Sequence, residues 1–437
     1  MAPPQPRSGP AGFAGRASIS IAGALGSNAL GAASGVVLAR VLGPADRGDY
    51  ALLALAAAFA ATVGTLGLHG IYARDVPAGR VRVSVGMLGI QIVASLAIGC
   101  VAGASLFASG LAPSVGSRLV LVVAAAAAGA ATGTVIEGIL QARGRMTSRA
   151  GFAVAGPSGA LLAMLAVLAL GGRSTLVLFA AFALGRLLVT IAGLFLLVDV
   201  PPCDAPTVRR GRLADTGGPL MAGAVVTQLL YRADLVVVAA LATQQDLGRY
   251  AVALGLAEVI WLVASEISTV TLPAASRGME PRDVARVIRM TTVIVSGLSA
   301  VGLALGPVAI PLVYGAEFGD AYSALVPLAV GAVGTSAWKL LVVDLFARGE
   351  ARHRVTTGLA ALVLVVLADL VLVPLAGLAG AGVGAAISYW FACALAVRAW
   401  CRATDEPAGL LRPRGSDVRA VASLAGRSAR RALGQKS

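Results

Sequence analysis

The chain has 437 residues, 58% of them hydrophobic and only 13% charged. A water-soluble domain carries roughly 25% charged residues and about 45–50% apolar ones, so no soluble core could hide this much Ala, Leu and Val. The surplus must face lipid, and the chain reads as an integral membrane protein. The formal net charge of +14 would suit nucleic acid, but the arginines stand in short clusters between long apolar runs, which is a topology pattern. Aromatics make up 5% of the chain and offer no platform for stacked bases, so no nucleic-acid partner is expected. Cys100, Cys203, Cys393 and Cys401 have neither a CxxC nor a His-paired spacing, which argues against a disulfide framework or a zinc site.

A membrane-crossing helix needs about 20 apolar residues. In chain order that ruler finds runs at 17–42, 48–70, 84–109, 118–141, 150–171 and 175–199, then at 218–242, 247–273, 286–313, 321–346, 354–374 and 377–400. The runs do not alternate apolar and polar residues, which excludes a β-barrel. The expected fold class is therefore an all-α membrane protein of about twelve spans. If the N-terminus is cytoplasmic, the inside segments hold about 27 of the Lys and Arg residues and the outside ones about five, as the positive-inside rule requires. The same reading divides the chain into a cytoplasmic segment 1–16, an N-lobe 17–199, a cytoplasmic linker 200–217, a C-lobe 218–400 and a basic cytoplasmic tail 401–437. The tail, rich in Arg, Gly and Pro, reads as a flexible extension beside anionic headgroups.

The two lobes repeat one another. At an offset of 200, Asp46 pairs with Asp246, Gly48 with Gly248, Tyr50 with Tyr250 and Ala51 with Ala251. A second match sets Ala142-Arg-Gly144 against Ala347-Arg-Gly349. Six spans per half insert with the same orientation, so the repeats are parallel. Such repeats build two-lobed transporters that alternate access around a central cavity. Asp-x-Gly-x-Tyr also serves as a helix cap, and a shared cap is itself a mark of duplication.

Ionisable side chains inside apolar spans are costly and usually face a cavity or a partner. Such residues are Glu137, Arg186, Arg232, Asp234, Glu258, Glu266, Lys339, Asp344 and Asp369. This mixed set suits a hydrated cavity better than a channel filter. Arg186 fits a cavity or a structural pair equally well. Arg232 and Asp234 are two apart and point about 200° from each other on a helix, so at least one needs a different partner. Glu258 and Glu266 share a face and would repel if both were ionised, which a proton or cation could relieve. Asn28 could line a cavity or bond a neighbouring helix, His69 and His353 are isolated, and Gly380–Gly384 reads as a small-residue packing face. Pro157, Pro307, Pro311 and Pro327 are expected to kink their helices. No nucleophile–base set and no ATP-binding loop is visible, so a catalytic role is not expected. Any energy must come from an ion gradient, the membrane potential or the substrate's own gradient.

Five stretches then carry a resemblance. They are Ala39-Arg-Val-Leu-Gly-Pro-Ala-Asp-Arg-Gly-Asp-Tyr50; Tyr231-Arg-Ala-Asp234 running into Leu247-Gly-Arg-Tyr250; Val313-Tyr-Gly-Ala-Glu-Phe318; Leu345-Phe-Ala-Arg-Gly349; and Asp369-Leu-Val-Leu-Val-Pro374 with Gly377-Leu-Ala-Gly-Ala-Gly382. In this set the chain resembles the polysaccharide transporter family, the O-antigen flippases of the Wzx type, in the superfamily that also holds the multidrug and toxin extruders. The resemblance implies a flippase in the bacterial plasma membrane, both termini cytoplasmic, that moves an undecaprenyl-diphosphate-linked oligosaccharide to the outer leaflet. Polysaccharide polymerase or export machinery would be its partners. It implies that Arg232 and Arg186, with Lys339 and Arg40 behind them, hold the diphosphate. It also implies a coupling-cation site (Na+ or H+) at Asp234, Asp369 and Ser388, with Glu258 nearby and no other cofactor. The family often has Asn where Asp369 stands and another Asn where this chain has Val365.

Two other readings remain open. A cation-coupled multidrug exporter of the same superfamily would want an acidic, aromatic lining, whereas these spans offer Arg and Lys. A membrane glycan polymerase or ligase would want a large outer loop, and every loop here is short.

Overall fold

The computed structural model describes residues 10–76, 80–197, 207–208, 211, 213–275, 278–350 and 352–432. They form helices α1 (Pro10–Gly64), α2 (Leu68–Asp75), α3 (Val85–Ser109), α4 (Leu119–Ala142), α5 (Met146–Ala169), α6 (Thr175–Phe195), α7 (Gly218–Leu230), α8 (Ala233–Leu241), α9 (Gln244–Ala275), α10 (Pro281–Tyr314), α11 (Ala321–Ala347), α12 (Arg352–Thr404) and α13 (Gly415–Ala432). The chain divides into two compact units, Met1–Gln228 and Leu229–Ser437. The expected linker 200–217 lies largely outside the described residues, as does Cys203.

Among the described residues nine helices are long and apolar enough to cross a membrane, and the bent pair ending in α7 and α8 makes a tenth. Two of the nine are far too long to be single spans. With 55 and 53 residues, α1 and α12 would each run about 80 Å as straight helices, against a hydrocarbon core of about 30 Å. Each breaks at a glycine of positive φ, Gly43 at 69° and Gly377 at 56°, a conformation that costs other residues dearly. Pro44 and Pro374 stand beside these breaks and remove a helical hydrogen bond there. Dividing both helices at the glycines adds two spans and brings the total to the expected twelve.

In the first unit, small residues let backbones touch. A side chain at Gly99 or Gly103 of α3 would strike Ala124 or Val120 of α4, and Gly159 of α5 meets Gly185 of α6. This contact replaces the hydrophobic drive that lipid cannot supply. Polar groups are answered within the unit: buried Gln91 donates to Ser95 Oγ at 2.8 Å and accepts from Thr132 Oγ1 at 3.3 Å. An apolar cluster of Leu68, Ile71, Tyr72, Val135 and Ile139 holds α2 to α4.

In the second unit α11 packs against α9, α10 and α12. Gly331 and Gly334 of α11 admit Ala386 and Trp390 of α12, while Gly382 of α12 admits Ala324. The 380–384 glycines are thus a packing face. Trp338 Nε1 donates to Thr357 Oγ1 at 2.9 Å, closing α11 on α12. Large apolar side chains such as Leu121, Val308 and Leu375 stand outward and exposed, as a lipid-facing surface requires. The protein is a multi-pass, all-helical membrane protein.

Candidate functional site

In the second unit the sequence Leu230-Tyr-Arg-Ala233 interrupts the seventh span. The helix stops at Leu230 and restarts at Ala233 with a bend of 42°. Arg232 sits in the break at φ −138° and ψ −5°, so its side chain leaves the helical track. Its Nη2 meets Glu258 Oε1 of α9 at 2.6 Å. Arg232 and Asp234 therefore do go to different partners. Asp234, fully buried, accepts the Leu235 N–H at 2.7 Å and the Tyr250 hydroxyl at 2.6 Å. A carboxylate in the first turn of a helix also faces the positive end of its dipole.

Lys339 of α11 donates to Ser265 Oγ at 2.7 Å and lies 5.0 Å and 5.4 Å from the ring centres of Tyr231 and Trp261. A cation so placed is held by the negative faces of the rings. Tyr231, Trp261, Trp338 and Tyr389 form one cluster, with centroids 5.5–6.3 Å apart. Sequence reasoning missed this cluster. A signal was present: the chain has only four Trp and seven Tyr, and the four that meet here fall on four different spans.

Asp369, in the first half of α12, is fully buried, and among the described residues neither carboxyl oxygen has a hydrogen-bond partner. Its Oδ1 occupies the space that a side chain at Gly384 would fill. Ser388, one turn beyond, donates to the Gly384 carbonyl at 2.8 Å. Asp234, Asp369 and Ser388 thus all lie in the buried part of the second unit. Among the described residues no group of three or more His, Cys, Asp or Glu stands close enough to hold a metal ion. Asp344 is a structural acid: it accepts from Arg348 Nε at 2.7 Å and Trp400 Nε1 at 2.9 Å.

The first unit carries a different arrangement. Arg186 of α6 lines a pocket of about 60 Å³ with Ser27, Glu137, Phe152, Pro157 and Thr190. Glu137 points to Arg149 at 3.7 Å. Among the described residues Arg186 makes no hydrogen bond or ion pair; its guanidinium lies 5.8 Å from the Phe182 ring centre. Arg40 is exposed three residues before the Gly43 break. The four expected cationic residues therefore divide evenly, Arg40 and Arg186 in the first unit, Arg232 and Lys339 in the second. Asn28 bonds within its own helix, to the Ala24 carbonyl at 2.7 Å, and His69 contacts the Thr134 carbonyl at 3.0 Å.

Broken spans, buried acids and in-membrane arginines are what a transport site needs. Among protein families, the profile described as "polysaccharide biosynthesis protein" matches residues 37–323. The chain belongs to this polysaccharide biosynthesis protein family. No curated protein sequence matches the chain. Solved structures of the same architecture include the lipid II flippase MurJ in an inward closed conformation, 11% identical, TM-score 0.66, covering 88% of this chain and 89% of that one. An inward-facing multidrug-resistance MATE transporter of the MOP superfamily is 15% identical, TM-score 0.65, with 89% and 98% covered. A MOP-superfamily transporter from Pyrococcus furiosus, described as having a binding pocket of reversed polarity, is 17% identical, TM-score 0.58, with 92% and 98% covered. This member of the polysaccharide biosynthesis family thus shares the two-lobed transporter fold, and the flippases and transporters around it are carriers.

Proposed function

We propose that this protein is a flippase that carries an undecaprenyl-diphosphate-linked oligosaccharide from the cytoplasmic to the outer leaflet of the bacterial plasma membrane, by alternating access. Both its termini would face the cytoplasm, polysaccharide polymerase or export machinery would take over its product, and it would catalyse no bond cleavage. The observation that carries the reading is Arg186. A guanidinium within a span, lining a polar pocket and without an ion-pair partner among the described residues, is a costly arrangement that an incoming diphosphate would relieve. Arg fits a phosphate with paired, parallel donors. Arg232, Lys339 and Arg40 would supply further positive charge as the headgroup moves, while the polyprenyl chain stays in lipid.

Asp369 supports the ion-coupled part of the proposal. A buried carboxylate with no hydrogen bond needs a proton or a cation beside it. Asp369 would hold that ion, with Asp234 and Ser388 nearby and Gly384 leaving the room. The ion would supply only charge neutralisation; the residues supply the binding. The multidrug-exporter reading is less well supported, because the aromatic cluster that could receive a cationic drug already surrounds Lys339.

The test is surface polysaccharide in cells whose only copy is Arg186→Ala, set against Arg186→Lys and the amount of folded protein in the membrane. The expected result is loss of surface polymer, partial recovery with Lys, and accumulation of the lipid-linked glycan on the inner leaflet. Normal polymer in Arg186→Ala would overturn the assignment.

A further inference from the structure

The segment after the last span is not the flexible chain expected from its composition. It forms a short 3-10 turn, Ala408–Leu411, and then α13. Both are fastened to the first turns of α10. Arg289, almost fully buried, donates through Nε to Asp417 Oδ2 at 2.9 Å and through Nη1 to the Leu410 carbonyl at 2.8 Å. The same Asp417 oxygen accepts the Arg414 N–H at 2.9 Å, capping α13. A second ion pair joins Arg282 to Glu406 at 3.5 Å.

α10 is longer than the hydrocarbon core is thick. Its 34 residues extend about 51 Å, some 20 Å more than the hydrocarbon core. Arg289 lies in the ninth position from the start, after Arg282 and Arg286, and such a cluster of arginines at one end of a span belongs at the level of the lipid headgroups. There α13 begins. On a helix, positions 418, 421, 425, 429 and 432 fall on one stripe, all of them Val or Ala. Positions 419, 427, 430 and 431, all Arg, centre about 180° away. Val418 is 52% exposed. An apolar stripe opposite an arginine stripe, pinned at headgroup depth, matches an anionic bilayer surface in shape and charge.

We propose that α13 is a membrane-surface helix that binds the anionic headgroups of the bilayer its own protein spans, held in register by the Arg289–Asp417 latch. This stands apart from the transport reading and does not depend on it. The apolar stripe enters the interface, and the arginines lie beside the phosphates.

The test is hydrogen exchange over 415–432 in the full-length protein, in nanodiscs of zwitterionic lipid alone or of a zwitterionic–anionic mixture. The anionic mixture should slow exchange across α13, and raised salt should restore it. Each Arg→Gln change among 419, 427, 430 and 431 should weaken the response roughly fivefold, and Val418→Asp should abolish it. Exchange indifferent to lipid charge, or a response that survives removal of all four arginines, would overturn the proposal.

Discussion

The Glu258 carboxylate lies 2.6 Å from the Arg232 guanidinium, so the arginine at the break of the seventh span is already neutralised by its neighbour on α9. A diphosphate that reached Arg232 would have to displace Glu258. Both side chains are about a third exposed, and such a pair contributes at most about 1 kcal/mol to stability. Glu258→Gln should therefore leave thermal unfolding in detergent almost unchanged. It should instead tighten binding of a diphosphate lipid and slow its release in a proteoliposome flipping assay. Unchanged affinity for that lipid would show that Arg232 does not meet the headgroup.

The duplicated tyrosines have diverged. The Tyr250 hydroxyl donates to Asp234, whereas the buried Tyr50 hydroxyl has no hydrogen-bond partner among the described residues and its ring packs edge-on against Phe179 and Phe182. Tyr250→Phe should destabilise the protein by about 1–3 kcal/mol, because it strips a buried carboxylate of a donor. Tyr50→Phe should be neutral or slightly stabilising. Equal losses in the two variants, read from unfolding midpoints, would contradict this assignment of partners.

Gly384 leaves the room that the Asp369 carboxyl fills. Gly384→Ala should cost about 1–3 kcal/mol by overpacking and should reduce transport. The loss of stability should largely disappear in the double variant with Asp369→Ala, since the clashing oxygen is then gone. Additive effects in that double-mutant cycle would refute the contact.

The latch on α13 has a predictable pH dependence. Burial by itself raises the Asp417 carboxyl, but the Arg289 guanidinium and the Arg414 N–H outweigh it and hold the group below the usual carboxylate range. A carboxyl lowered in the folded state stabilises above its ordinary value near 4 and loses that contribution as pH falls through the lowered value. Docking of 405–417 should thus persist at mildly acidic pH and fail only in strong acid. Asp417→Asn should undock the segment at neutral pH and remove the acid transition, as followed by hydrogen exchange.

Much of the fold was legible in the chain. Lipid demands runs of about 20 apolar residues, so composition alone gave twelve spans, and two of the loops between them are the glycine breaks at Gly43 and Gly377. The repeat was legible too, and with the structure it explains an asymmetry. At the offset of 200 Asp234 corresponds to Ser34, and at the offset of 205 that aligns Arg348-Gly349 with Arg143-Gly144, Asp369 corresponds to Met164. The buried acids of the second unit therefore have no acidic counterparts in the first.

The candidate site was legible as a set of residue types and not as a set of pairs. Intramembrane charges announce themselves because hydrocarbon penalises them, so Arg186, Arg232, Asp234, Lys339 and Asp369 could be named from sequence. The side-chain partners of those that have one lie on other spans, at separations with no local periodicity: Arg232 with Glu258, Asp234 with Tyr250, Lys339 with Ser265. Only the packing of α8 to α12 decided which carboxylate was satisfied and which, Asp369, was not. The tail shows the same limit. Its arginines suggested loose chain, and contacts such as the buried bridge from Asp417 to Arg289, 128 residues away, made it a docked helix. Hydropathy is a local property and can be read along the chain; the satisfaction of a buried charge depends on neighbours that only the folded protein brings together.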